Sequence, residues 1–251
     1  MRSKDGRKRT FAVVAPAVLL SSAYLSRHWG GGDKSSCIAS FGKYNGVRYN
    51  KKGETIKTTC LVESKWMQLS QHAVSLGGKS KDIINDWLFI DYHDRINVLV
   101  EAWDGDDQTN DKRYVVFKQT KYAYSGDSMA IVGGIIEPNE EPEVAARREV
   151  QEEMNVNCER LISLGKYRTD VNRGMGWVHS FIASDCREMT DRESANDSEE
   201  IHVNQVGAAD TEGQERILLT VAELRDAARN GEFVEVQWSN TVALALLRID
   251  L

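Results

Sequence analysis

The stretch GIIEPNEEPEVAARREVQEEMNV, residues 134–156, decides how this chain is read. Glu149, Glu152 and Glu153 stand at i, i+3 and i+4, so a helix through them carries three carboxylates on one face. Such charges repel each other, and packing has no use for that. A hard divalent cation does: magnesium takes oxygen ligands, keeps several waters and is commonly shared with substrate phosphates. Ala146, Val150 and Met154 fall on the other side and can face a core. One helix then has a packing face and an acidic face. Taken alone, an E-x-x-E-E run reads as a solvated helix face. Gly134, Glu140 and Arg148 at fixed distances from it point further.

With those residues in place the stretch resembles the signature of the Nudix hydrolase family, G-x5-E-x7-R-E-U-x-E-E-x-G-U, where U is aliphatic. Gly134, Glu140, Arg148, Glu149, Val150, Glu152, Glu153 and Val156 match at the family spacing. Asn155 stands where the family has Gly. That Gly ends the helix in a left-handed conformation, which Asn tolerates better than other side chains do. The resemblance implies an α+β fold, the α/β/α Nudix sandwich with a mixed sheet between helices. It also implies a metal-dependent enzyme that hydrolyses a phosphoric anhydride.

Pyrophosphate hydrolysis needs charge neutralisation on the phosphates and a positioned water. Glu149, Glu152 and Glu153 are assigned as ligands of Mg2+, with Mn2+ as a substitute. A backbone carbonyl at Gly133 or Gly134 is a further candidate ligand. Arg148 precedes Glu152 by four residues and can orient that carboxylate. Glu140 is read as fixing the loop onto the helix. The general base is a box glutamate or an acid from a later loop, with Glu212 and Glu215 first among the latter and Asp210, Glu199 and Glu200 behind them. No Ser, Cys or His nucleophile motif is present, so no covalent intermediate is expected. For the substrate, Arg173 between Gly-rich neighbours can approach a phosphate, Gly134 allows close approach, and Trp87 is a candidate to stack on a base. Trp66, Trp103 and Trp177 are further aromatic candidates.

Residues 66–247 also look like the ADP-ribose and ADP-sugar pyrophosphatase branch, in the layout of strands and in the tail from Asp210 onward. That branch often carries a Pro soon after the box, where this chain reads Asn172-Arg-Gly-Met-Gly176. The expected reaction is cleavage of a nucleoside diphosphate linked to another group, ADP-ribose or an ADP-sugar first, giving AMP and a sugar phosphate. NADH, dinucleoside polyphosphates and nucleoside triphosphates are the alternative substrates. A non-catalytic Nudix ligand-binding module is the alternative class, although such modules normally lose part of the acidic set, which is intact here. A homodimer is compatible with the resemblance.

The chain has 251 residues, enough for one large domain or two small ones, with 41% hydrophobic content and a formal charge of −6. The charge is uneven. Residues 1–29 hold six Lys/Arg and one acid, against 26 Lys/Arg and 37 acids in residues 30–251. An acidic body argues against coating nucleic acid and is compatible with a phosphorylated ligand bound through metal. Arg2, Lys4, Arg7, Lys8 and Arg9 precede an apolar run over residues 11–25, the form of a targeting leader or a marginal membrane anchor. This suggests an organelle or the secretory pathway, with a cytoplasmic location as the alternative. Gly30-Gly-Gly32 reads as a linker. The expected organisation is a leader and linker at 1–32, a strand-rich extension at 33–95, and the catalytic domain at 96–251.

Four cysteines are too few for a disulfide scaffold. Cys37 and Cys60 can pair in an oxidising lumen, and Cys158 and Cys186 are expected as buried thiols. Residues 96–100 and 114–117 read as a hairpin, residues 129–132 as a strand leading into the box loop, and residues 177–183 as a later strand. Residues 187–200 read as an exposed loop and residues 217–219 as a short strand. Thr220 and Glu223 form a capping box for a helix ending at Gly231, and a last helix spans residues 241–248.

Overall fold

A computed structural model describes residues 55–77, 82–103, 112–190 and 214–249. The leader and glycine tract expected at 1–32 lie outside them, as do Cys37 and the acids Glu199, Glu200, Asp210 and Glu212.

A single mixed sheet runs through these residues. Three strands come first, β1 (Thr55–Glu63), β2 (Met67–Ser75) and β3 (Ile83–Tyr92), as an antiparallel set. They join the rest where β3 meets the start of β9 (Gly174–Glu188). β9 then runs parallel to β4 (Arg95–Glu101), whose buried run Ile96 to Val100 forms the middle of the core. A parallel strand buried on both faces reads as a near-continuous apolar run, and β4 does so with one polar member, the buried Asn97. β5 (Arg113–Lys121) follows β4, with β10 (Gln214–Thr220) on its far edge.

The strand expected before the box loop is in fact two. β6 (Tyr124–Ala130) pairs with β5, and β7 (Val132–Ile135) pairs with β4, with Ile131 buried between them. A chain that changes partner strands must break its ladder, and a short apolar run does not reveal where. β8 (Val156–Asp170) and β9 form a long hairpin that the sequence only partly discloses, because polar residues of β8 lie on an edge strand with one face open.

Helix α1 (Pro142–Met154) has Pro at its first turn and buries Ala145, Ala146, Val150 and Met154. Asn155 ends it at φ 56°, the left-handed conformation anticipated from the Gly position of the signature. Helix α2 (Val221–Arg229) opens with the Thr220–Glu223 capping box, and Gly231 follows its end at φ 73°. Helix α3 (Val236–Ile249) begins five residues before its expected start. Buried Gln237 and Trp238 belong to it. α1 lies over one face of the β7–β4 region and α3 over the other: Glu149 covers Gly134 from one side, and Trp238 approaches Gly133 from the other.

Cys158 and Cys186 are a correction to the buried thiols expected from sequence. They face each other directly in the β8–β9 register and form a disulfide. Sequence separation of 28 residues gave no hint of that register. Cys60 is also disulfide-bonded. Replacing both Cys158 and Cys186 by Ser should lower unfolding stability by about 2–4 kcal/mol. Denaturant melts compared with and without reductant check this. Alkylation of both thiols in the folded, unreduced protein would contradict the bridge.

Candidate active site

The candidate site is built on one guanidinium. Arg148 forks onto Glu140, with Nε to Oε1 at 2.9 Å and Nη2 to Oε2 at 3.0 Å. Nη2 also donates to the Ile135 carbonyl at 3.0 Å. Nη1 donates to Glu149 at 2.8 Å and Glu152 at 3.2 Å. The i to i+4 contact with Glu152 is the one the spacing predicts, but Glu140 is the bidentate partner. Glu140 in turn accepts from the Glu137 backbone N–H at 2.9 Å, and its own N–H donates to the Glu137 carbonyl. The loop is thus closed on itself and pinned to the helix, as expected of Glu140.

Burial by itself would favour discharging Arg148. Its hydrogen bond to Glu140 and the charges of Glu149 and Glu140 outweigh that and hold the guanidinium above its ordinary value. Burial pushes the Glu149 carboxyl up, Arg148 opposes the shift, and the neighbouring charges of Glu152 and Glu140 add to it. These carboxylates therefore repel each other, as the sequence pattern requires.

Gly134 is the floor beneath Glu149. A Cβ there would overlap the Glu149 carboxylate. Gly133 lies on the opposite face, where a Cβ would come 2.9 Å from Asn97 Oδ1. The two glycines thus serve different neighbours, and the one under the acidic face is Gly134. Glu153 follows Glu152 near the end of the same helix.

The set Glu149, Glu152 and Glu153 fits a hard divalent cation in its donor chemistry: oxygen donors only, mutually repelling, on one helix face. Among the described residues no three acidic, His or Cys side chains already converge as a ligand set. Here the cationic partner of Glu149 and Glu152 is Arg148.

Other residues named from sequence lie elsewhere. Glu215 sits on β10 opposite Lys118, on the far side of β5 from the box helix. Arg173 and Trp87 come together at the tip of the β8–β9 hairpin. The Trp87 indole N–H donates to the Asn172 carbonyl at 3.0 Å, and the Arg173 guanidinium lies 6.0 Å from the Trp87 ring centre. Asp170 Oδ1 caps that turn by accepting from Asn172 and Arg173.

Sequence reasoning missed Asp94. This fully buried residue sits in the crank between β3 and β4. Its carbonyl accepts from the Ile136 N–H at 2.9 Å and its Oδ1 from the Trp177 N–H at 2.8 Å. It therefore ties the box loop to β9. An Asp between two strands carries no sequence signal of that. Gly176, at φ 70°, packs where a Cβ would overlap the His93 carbonyl, so glycine is required beside this joint.

The model of the NUDIX domain family matches residues 95–238. That is more than half of the chain, and the chain belongs to the Nudix family as a pyrophosphohydrolase. A crystal structure of an ADP compounds hydrolase aligns with a TM-score of 0.60 and 13% identity, over 80% of this chain and 95% of that one. At that identity the likeness speaks for the fold, a mixed sheet with a few helices. No curated protein matches the sequence.

Two outcomes follow from this geometry. Gly134→Ala should displace the Glu149 carboxylate and lower pyrophosphohydrolase turnover by about 100-fold or more, a 1 Å misplacement being that costly. Circular dichroism should show an unchanged fold. Turnover near the parent value would contradict the role of Gly134 as the floor. The second concerns Asp94, whose carboxyl burial pushes up to about 6 against the Trp177 N–H and the charges of Lys166 and Arg168. Between about pH 4 and 6 the native state holds a proton that the unfolded chain has lost. Stability therefore falls as pH rises through that window, by on the order of 3 kcal/mol. Asp94→Asn should flatten that fall in denaturant titrations at pH 4.5 and pH 7, and an unchanged slope would contradict it.

Proposed function

We propose that the protein hydrolyses the diphosphate of a nucleoside diphosphate linked to another group, with ADP-ribose or an ADP-sugar as the first choice. The observation that carries this reading is the intact acidic face of α1, braced by Arg148 and Glu140. The ADP compounds hydrolase whose fold this chain shares supports the choice of an ADP derivative.

Glu149, Glu152 and Glu153 would hold Mg2+, or Mn2+ in its place. When bound, the cation neutralises diphosphate charge and lowers the pKa of a bound water. The chain's own residues do the rest. Arg148 holds Glu149 and Glu152 in place through its Nη1. Glu140 and the Ile135 carbonyl hold Arg148 in place. One of the box glutamates takes the proton as water attacks phosphorus, and the departing group leaves as a phosphomonoester. Glu215 is retained as an alternative base only if box substitutions leave activity.

The paired cysteines of the described chain favour an oxidising compartment, since such bridges are rare where glutathione keeps thiols reduced.

The test is a panel of ADP-ribose, ADP-sugars, NADH, dinucleoside polyphosphates and ATP, assayed with Mg2+ and with Mn2+. AMP plus a sugar phosphate is the expected product pair. Glu152→Gln and Glu153→Gln should each lower turnover by orders of magnitude without loss of fold, because a neutral amide binds a hard cation poorly. Parent-like rates in both variants would remove these residues from the site. Rapid turnover of ATP with none of ADP-ribose would reject the substrate and keep the reaction class. Ligand binding without any turnover would favour the binding module.

A further inference from the structure

The β8–β9 hairpin carries a cluster that the reaction described above does not use. Arg168 lies directly across the ladder from Trp177, and Lys166 directly across from His179. Lys166 Nζ sits 4.5 Å and Arg168 Cζ 4.8 Å from the Trp177 ring centre. Two cations gathered on one half-buried indole are held in place, where free side chains on an edge strand would move in solvent. Like charges on one ring repel each other, and the buried carboxylate of Asp94 sets one negative charge against the two.

The registers place this cluster on the catalytic face. Gly134 pairs with Ile96, Ile96 with His179, and His179 with Lys166. Residues in one such row point to one side of a sheet. It is the side on which Glu149 covers Gly134. Adjacent strands lie about 4.8 Å apart, so the β9 members stand about 10 Å and the β8 members about 14 Å from the glycine floor. Asp94, in the neighbouring row with Trp177, places one buried carboxylate near the two cations. His179 is kept neutral at physiological pH, its value pushed down to about 4 by burial and then by Lys166.

We propose that Lys166 and Arg168, steadied by Trp177, form a second phosphate subsite. It selects diphosphate substrates that carry a phosphomonoester on the nucleoside ribose. An Arg fork and a Lys ammonium together match a phosphate dianion through charge-assisted hydrogen bonds. The proposal rests on the pyrophosphohydrolase reading, because the diphosphate over α1 is what brings a ribose within reach of the hairpin.

The experiment compares kcat/KM for ADP-ribose with that for the same compound phosphorylated at the adenosine 2′ or 3′ position. At least a tenfold preference for one phosphorylated form is expected, carried mainly by KM. Lys166→Ala with Arg168→Ala should bring that ratio close to one, and Lys166→Arg should retain it. If the double variant misfolds, Lys166→Gln at its exposed position should still reduce the ratio several-fold. Equal kcat/KM for plain and phosphorylated substrates, or a preference untouched by these variants, overturns the proposal. Absence of turnover on every diphosphate would count against the activity reading instead. Calorimetry then decides the subsite: adenosine 2′,5′- or 3′,5′-bisphosphate must bind at least tenfold tighter than AMP. Equal affinities overturn it.

Discussion

The Arg148 fork is the interaction on which the rest of the site depends. One guanidinium joins the loop through Glu140, the end of β7 through the Ile135 carbonyl, and the acidic helix face through Glu149 and Glu152. Charge-assisted bonds of this kind are roughly twice as strong as neutral ones. Their greater importance lies in what their loss would leave behind. Without Arg148, Glu140 and Glu149 would be half-buried carboxylates with no cation, a state that costs about 3–5 kcal/mol when one partner of a buried pair is removed. The helix, the loop and the strand are therefore held in one geometry, and the carboxylates are presented together.

The sheet gives that fork a surface to work against. Gly134 lets Glu149 lie flat on β7, and the Asp94 carbonyl anchors Ile136, the first residue after β7, to the crank between β3 and β4. The same Asp94 reaches Trp177 at the start of β9. Box loop and hairpin are thus coupled through one buried residue, whose carbonyl accepts from Ile136 and whose carboxylate accepts from Trp177. The hairpin adds cations seated on indoles, at Trp177 and at Trp87. The acidic helix face and the Trp177 cluster then share one face of the sheet.

How much of this was legible in the sequence follows from the range of each interaction. The acidic face, Arg148 beside it, the Pro142 start and the Asn155 end all lie within one helix and its loop, where spacing fixes geometry. The capping box at Thr220 is local in the same sense. The break between β6 and β7, the Cys158–Cys186 bridge and the Asp94 joint depend on which strands become neighbours, and spacing along the chain does not encode that. Trp87 and Arg173 were both singled out for binding, yet nothing in their 86-residue separation revealed that they would meet at the hairpin tip. In the sequence Gly174 and Gly176 stand only as the glycine neighbours of Arg173. In the fold they make a close backbone approach to β3 and to His93.

The central claim is that water attacks phosphorus at a site organised by Glu149, Glu152 and Glu153. The chain carries no Ser, Cys or His nucleophile motif, and the acidic face suits a diphosphate. Hydrolysis of ADP-ribose in oxygen-18 water, with the products resolved by mass spectrometry, tests this most directly. The account expects AMP and ribose phosphate, with one label on the phosphate of one product and none on the anomeric oxygen. Label on the anomeric carbon, or free ADP as product, would contradict it.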